Sequence, residues 1–192
     1  MYHLVVTTSW RPHLIGGRLR AAFIAASVVW AALLVGVPFL ASRDHASGPA
    51  SLLIVAVYAL GGFVCHQLPG RSYQLWSAQM PVCARCAGIY FGAVLGAIGS
   101  AVHRSFRTAK AVRHVPSVPQ GFSPAKISVA QGFSPASVRI VLAFAAAPTI
   151  ATLLYEWTTG VMPAHGVRAA AGAAIGAAVA WVVVAAADNQ VN

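Results

Sequence analysis

The chain is built from long stretches that carry almost no charge. Apolar runs cover about 21–41, 50–65, 81–102, 140–158 and 167–187. A helix rises about 1.5 Å per residue, so some 20 apolar residues cross a hydrocarbon core about 30 Å thick. The run at 50–65 is short for a crossing and would draw Pro49 and Leu68 to the interfaces. The runs are continuous instead of alternating, which argues against a transmembrane β-barrel. Only 8% of the residues are charged, whereas a soluble domain carries about a quarter. The expectation is an all-α membrane protein, with about five transmembrane helices in a small bundle embedded in a lipid bilayer. A cleaved signal peptide is disfavoured, because the first run exceeds the roughly 7–15 apolar residues of a signal.

The remaining segments are polar and basic. Residues 1–20 form a basic N-terminal segment with Arg11, Arg18 and Arg20. Residues 21–102 make a three-helix part, 139–187 a two-helix part, and 188–192 a tail. Residues 103–138 break the pattern. They open with Arg104, Arg107, Lys110 and Arg113, and carry the hexamer QGFSPA at 120–125 and again at 131–136. Two copies are too few for a solenoid, and the composition reads as a disordered basic loop without a core.

Lys and Arg total 13 against three acids, giving net +10. On a membrane protein this excess is a topology signal and an attraction to anionic headgroups. No soluble recognition domain is left over, so nucleic acid is not an expected partner. Five crossings place the termini on opposite faces, with the loop at 66–80 on the N-terminal side. The Lys/Arg count is then six against seven. With Arg71, Arg85 and Arg168 set aside as site residues, the four cations just after the third run favour a cytoplasmic 103–138 loop. The expected location is the bacterial inner membrane, with the cysteines facing outward.

Gly88, Gly92 and Gly96 recur every four residues in the third run, and Gly172 and Gly176 repeat the device in the fifth. This spacing lines one helix face with glycine and permits close helix packing or self-association into a homo-oligomer.

The chemistry concentrates between Cys65 and Tyr90, CHQLPGRSYQLWSAQMPVCARCAGIY, which holds all three cysteines. Cys83 and Cys86 sit in a C-x-x-C at the start of an apolar run, so on a helix they share a face. Free N–H groups and the dipole of a first turn favour thiolate there. The first reading is a metal site. Cys65, His66, Cys83 and Cys86 make a Cys₃His set of the kind that binds Zn²⁺ tetrahedrally, with Cu(I) second because thiolates are soft. His66 then follows Cys65 directly, which requires the helix to have ended there. The second reading is thiol–disulfide exchange on the Cys83–Cys86 pair, with Cys65 as shuttle. A small transporter or channel is a third reading, weakened by the lack of an internal repeat. Inert packed thiols remain the plain alternative. Gln67, Arg71, Ser72, Arg85 and Arg168 are candidate supporting polar groups. Glu156, one of three acids, would pair with Arg71, Arg85 or Arg168, carry protons, or simply stand at the interface.

The segments CHQLPGRS (65–72) and PVCARCAGIYFG (81–92) resemble an uncharacterised family of small bacterial and archaeal membrane proteins, domain-of-unknown-function family 2085. Cys65, His66, Gln67, Arg71, Ser72, Cys83, Arg85, Cys86, Gly88 and Tyr90 carry the resemblance. It continues more weakly from Pro148 through Arg168 to Gly176. The family's aspartate shortly after the proline has no counterpart in 149–154, where Glu156 is the nearest acid. The resemblance implies a membrane location and a shared site, and no particular activity.

Overall fold

The computed structural model describes residues 12–43, 48–113 and 134–189. These form five α-helices and one hairpin: α1 Pro12–Ala41, α2 Pro49–Val64, β1 Ser72–Leu75, β2 Ala78–Cys83, α3 Ala84–Arg113, α4 Pro135–Thr159 and α5 His165–Asn189. Within α1, α3, α4 and α5 lie four segments long and apolar enough to cross a membrane. α2 has 16 residues, a length of about 24 Å. The five expected helices are therefore present, with α2 the short one.

α3 and α5 run parallel in close contact. Gly88, Gly92 and Gly96 face the backbones of Ala169, Ala173 and Ala177, each pair at the same sequence offset. Gly172 and Gly176 face the backbones of Arg85 and Ile89 in return. A Cβ at any of the five would stand 2.0 to 2.2 Å from a carbonyl oxygen, so only glycine allows this approach. Both stripes read from the sequence are thus taken up inside the chain. They carry no argument for self-association.

α1 lies antiparallel to α3. Phe23 and Ile24 pack on Ala97, Ala180 and Val184, while Leu34 packs on Met80, Val82 and Ala87. Trp30 meets the edge of Tyr90 between these two levels, at 5.8 Å between ring centroids. The C-terminal end of α1 therefore sits where α3 and α5 begin. Phe39 there touches Trp76 at the tip of the hairpin.

Residues 66–80, expected as a loop, and Pro81, expected at the start of the third apolar run, fold differently. Instead Pro81 lies inside β2, and α3 starts at Ala84. The register passes from Ser72↔Cys83 to Gln74↔Gln79, a bulge that admits a proline without a ladder N–H. Trp76 and Ser77 turn the chain with φ of 49° and 63°, the pattern of a type I′ hairpin turn. On the far side of β2, the Tyr58 hydroxyl donates to the Gln79 carbonyl and Gln67 Nε2 donates to the Pro81 carbonyl. Side chains thus close an edge that would otherwise expose strand carbonyls. α2 lies against this edge so closely that a Cβ at Gly61 would stand 2.1 Å from the Pro81 oxygen.

Two further boundaries differ from the sequence reading. α3 continues to Arg113, so residues 103–113 of the expected loop are helical. α4 begins at Pro135, inside the second QGFSPA copy, with the Ser137 hydroxyl bonded to the Ser134 carbonyl. The first copy lies outside the described residues. Gly160, at φ 68°, ends α4 by donating its N–H to the Glu156 carbonyl.

Candidate functional site

The three cysteines come from three different backbone settings that meet at one end of the bundle. Cys65 terminates α2 in extended conformation, its N–H bonded to the Gly61 carbonyl. Cys83 ends β2 directly ahead of α3, and Cys86 lies in the first turn of α3. Their sulfur atoms all lie within 4.8 Å of one another. The Cys83 N–H points at Cys65 Sγ, at 3.2 Å. A metal–sulfur bond of about 2.3 Å in a tetrahedral centre sets thiolates roughly 3.8 Å apart, so the cluster is compatible with a metal site.

The Cys83 thiol is pulled down to about 5. The hydrogen bond with the Cys86 side chain lowers it most, and burial opposes the shift. The Cys86 N–H, the Cys65 side chain and the Arg85 N–H lower it further. Its place just before a helix thus supplies the donors that a capping side chain would use.

His66 is not part of the sulfur cluster, although the sequence offered it as the fourth ligand. Cys65 has φ −147° and ψ 139°, and successive side chains of an extended chain point to opposite sides. His66 is exposed. It still lines the same pocket of about 310 Å³, with Cys65, Gln67, Arg71, Cys83, Arg85 and Arg168 among the walls.

Glu156 is where α4 reaches this end of the bundle. It is buried at 8% exposure and pairs with two arginines, Arg71 at 2.6 Å and Arg85 at 3.5 Å. Arg168, its third expected partner, is not among them. Arg168 is only 1% exposed. Its Nη1 contacts the Met162 sulfur at 3.7 Å, and its Nε has no partner. Arg85 also reaches the Thr152 hydroxyl at 3.4 Å.

Gln67 has a structural task within the site. Its Nε2 donates to the carbonyls of Tyr58 and Pro81, both at 2.7 Å, and its own carbonyl accepts from Gln79. These bonds hold it at φ 46° and fix the path of the chain leaving Cys65. Ser72 is buried opposite Cys83 in the hairpin. Tyr58, Gln79, Thr152 and Met162 were not singled out in the sequence. No motif marks them, and only the fold brings them here. His165 is half-buried against the Tyr73 ring, at 5.4 Å between centroids.

Comparison with known proteins places this arrangement in context. A family described as "predicted membrane protein (DUF2085)" matches residues 65–182, from the first cysteine through most of α5. An uncharacterised protein of Methanocaldococcus jannaschii is 38% identical over 61 residues, 32% of this chain and 39% of that protein. The chain thus spans about two-fifths of that relative. No solved structure matches.

Proposed function

The chain belongs to the DUF2085 family of predicted membrane proteins, and on that premise we propose that it holds a metal ion at the membrane surface on Cys65, Cys83 and Cys86. Zn²⁺ is the first choice and Cu(I) the second, because both accept thiolate sets. The observation that carries the reading is the gathering of the three sulfur atoms within 4.8 Å. Three thiolates leave a fourth position, and His66 on the pocket wall is a ligand type suited to fill it. Elemental analysis of the detergent-purified protein tests this. About one metal per chain is expected, lost in Cys83→Ser; native protein free of metal with three reactive thiols would end the proposal.

A second reading, thiol–disulfide exchange, is favoured by the acidified Cys83 thiol beside two further sulfurs. It predicts thiols that titrate only after reduction, with no bound metal.

The contacts of α2 support an orientation. Its C-terminal end lies beside Cys83, and only residues 42–48 separate its start from the end of α1 at the hairpin. Both ends then belong to the cysteine face, and the chain crosses four times. This reverses the parity of five crossings: the N-terminus, the α3–α4 connection and the C-terminus share the opposite face. That face carries Arg11, Arg18, Arg20, Arg104, Arg107, Lys110, Arg113, Lys126 and Arg139, against Arg43, Arg71, Arg85 and Arg168 on the cysteine face. The positive-inside rule then favours one answer, with the cysteine site outside the cytoplasm. In a chain with Cys65, Cys83 and Cys86 replaced by serine, an impermeant maleimide should label Ser47→Cys and not Ser117→Cys on intact cells. Labelling at 117 would reverse the assignment.

A further inference from the structure

We propose that the pocket beside the thiols is a binding site for an oxyanion, a phosphate or a carboxylate, held by Arg168, Arg85 and Arg71. The site stands on these arginines and holds whether or not the cysteines bind a metal.

Three guanidinium groups line one cavity of about 310 Å³, a size at the lower end of ligand pockets. Among the described residues, only Glu156 balances them, and it pairs with Arg71 and Arg85. Arg168 receives nothing from it. This guanidinium is 1% exposed, touches one thioether sulfur and leaves Nε unpartnered. A buried charge without a counter-charge is costly, and removal of the partner of such a group is strongly destabilising. A cation kept in this state is set up to receive an anion from outside the chain.

The helices increase the demand. Arg85 and Arg168 lie at the starts of α3 and α5, and neither helix has an acid in its first turn. A helix N-terminus is itself positive. Because α3 and α5 run parallel and packed through their glycines, both positive ends open at the same level. An arginine in either position is unfavourable for the helix alone and favourable once an anion sits between them. Planar guanidinium forks match carboxylate and phosphate oxygens in pairs of hydrogen bonds, which selects oxyanions over halide.

The phosphate has two sources, a phospholipid headgroup at this membrane face or a free anion. The experiment uses full-length protein in neutral detergent, in the Cys65, Cys83 and Cys86→Ser background as well as wild type. Titration calorimetry with inorganic phosphate, and separately with acetate, is run at constant ionic strength in chloride. Mass analysis of co-purified phospholipid runs in parallel. The expected result is saturable oxyanion binding in both backgrounds, weakened at least about 30-fold in Arg168→Gln. Binding of phosphate to lipid-free protein assigns a soluble anion. Retention of one anionic phospholipid, lost in Arg168→Gln, assigns a headgroup. Arg71→Gln guards against misfolding of the buried variant, because the Arg71 side chain is 41% exposed; it should weaken binding several-fold. Absence of both saturable binding and retained anionic lipid in folded wild type, or variants that bind as wild type does, overturns the proposal.

Discussion

Gly92→Ala should destabilise the protein, and the structure sets the size of the effect. A Cβ at Gly92 would stand 2.2 Å from the Ala173 oxygen, where ordinary contact begins near 3.4 Å. The helices must therefore separate by about 1.2 Å (3.4 minus 2.2). The obstacle is backbone, so no side chain can turn aside. Separation also loosens the flanking contacts of Gly88, Gly96, Gly172 and Gly176, since all five lie in one seam. A radial gap of 0.5–1 Å forfeits about a quarter to a half of a dispersion contact. Overpacking of this kind costs about 1–3 kcal/mol. Against that, alanine improves an isolated helix by about 1 kcal/mol. Starting from the upper end, a net loss of about 2 kcal/mol remains. For a chain of this size that is a fall in Tm of about 4–8 °C. Gly99 provides the control on the same helix, because nothing lies within 4 Å of its Cβ position. Gly99→Ala should be neutral or raise Tm by about 2 °C. Scanning fluorimetry in detergent on the five tryptophans reads both. If Gly92→Ala melts with wild type or above it, the seam does not hold α3 against α5 as described.

Three further outcomes follow from the site. Glu156→Gln leaves Arg71 and Arg85 without their carboxylate; with Arg71 41% exposed the loss falls at the low end for a broken buried pair, about 3 kcal/mol, read as a lowered Tm. Gln67→Ala strips donors from the Tyr58 and Pro81 carbonyls, so about 1–3 kcal/mol should be lost, and amide exchange should accelerate in the hairpin before the helices. In metal-free, reduced protein, Cys83 should react with iodoacetamide nearly as fast at pH 6 as at pH 8, and slow only as pH falls through about 5. The sign follows from a lowered thiol pKa: the thiolate persists down to that pH. An ordinary thiol near 8.5 would slow about 75-fold over the same two units, and peptide mapping by mass spectrometry tells the two apart.

The bundle was legible because its signals are local. A run without charge reads as a helix in lipid, and a four-residue glycine spacing reads as a face. That Gly92 would meet Ala173 was not legible, because the pairing depends on the relative sliding of two helices. The cysteines declared themselves by clustering at the ends of two apolar runs. His66 did not separate itself from Cys65, because adjacency in sequence says nothing about the side to which an extended backbone turns each residue. The hairpin was missed for a similar reason. Its turn is Trp76-Ser77, without the Asn-Gly or Asp-Gly that announces a type I′ turn. Glu156 was visible as a scarce acid, but the choice of Arg71 and Arg85 over Arg168 depends on where α4 ends. The short length of 50–65 was the one warning that α2 differs from its neighbours, and its contacts with β2 are what give that warning meaning.

The interlocked seam between α3 and α5 also divides the thiols by how each is held. Helices that touch backbone to backbone at five glycines cannot rock or slide without breaking all of those contacts together. Cys86, Arg85 and Arg168 lie on that pair, and Cys83 precedes it directly at the end of β2. Cys65 and His66 leave the end of α2, which Tyr58 and Gln67 tie to β2 by side-chain hydrogen bonds. Of the three thiols, only Cys65 lies outside the continuous β2–α3 segment. Two thiols are thus set by one stretch of backbone, and the third by side-chain hydrogen bonds that reach across to it.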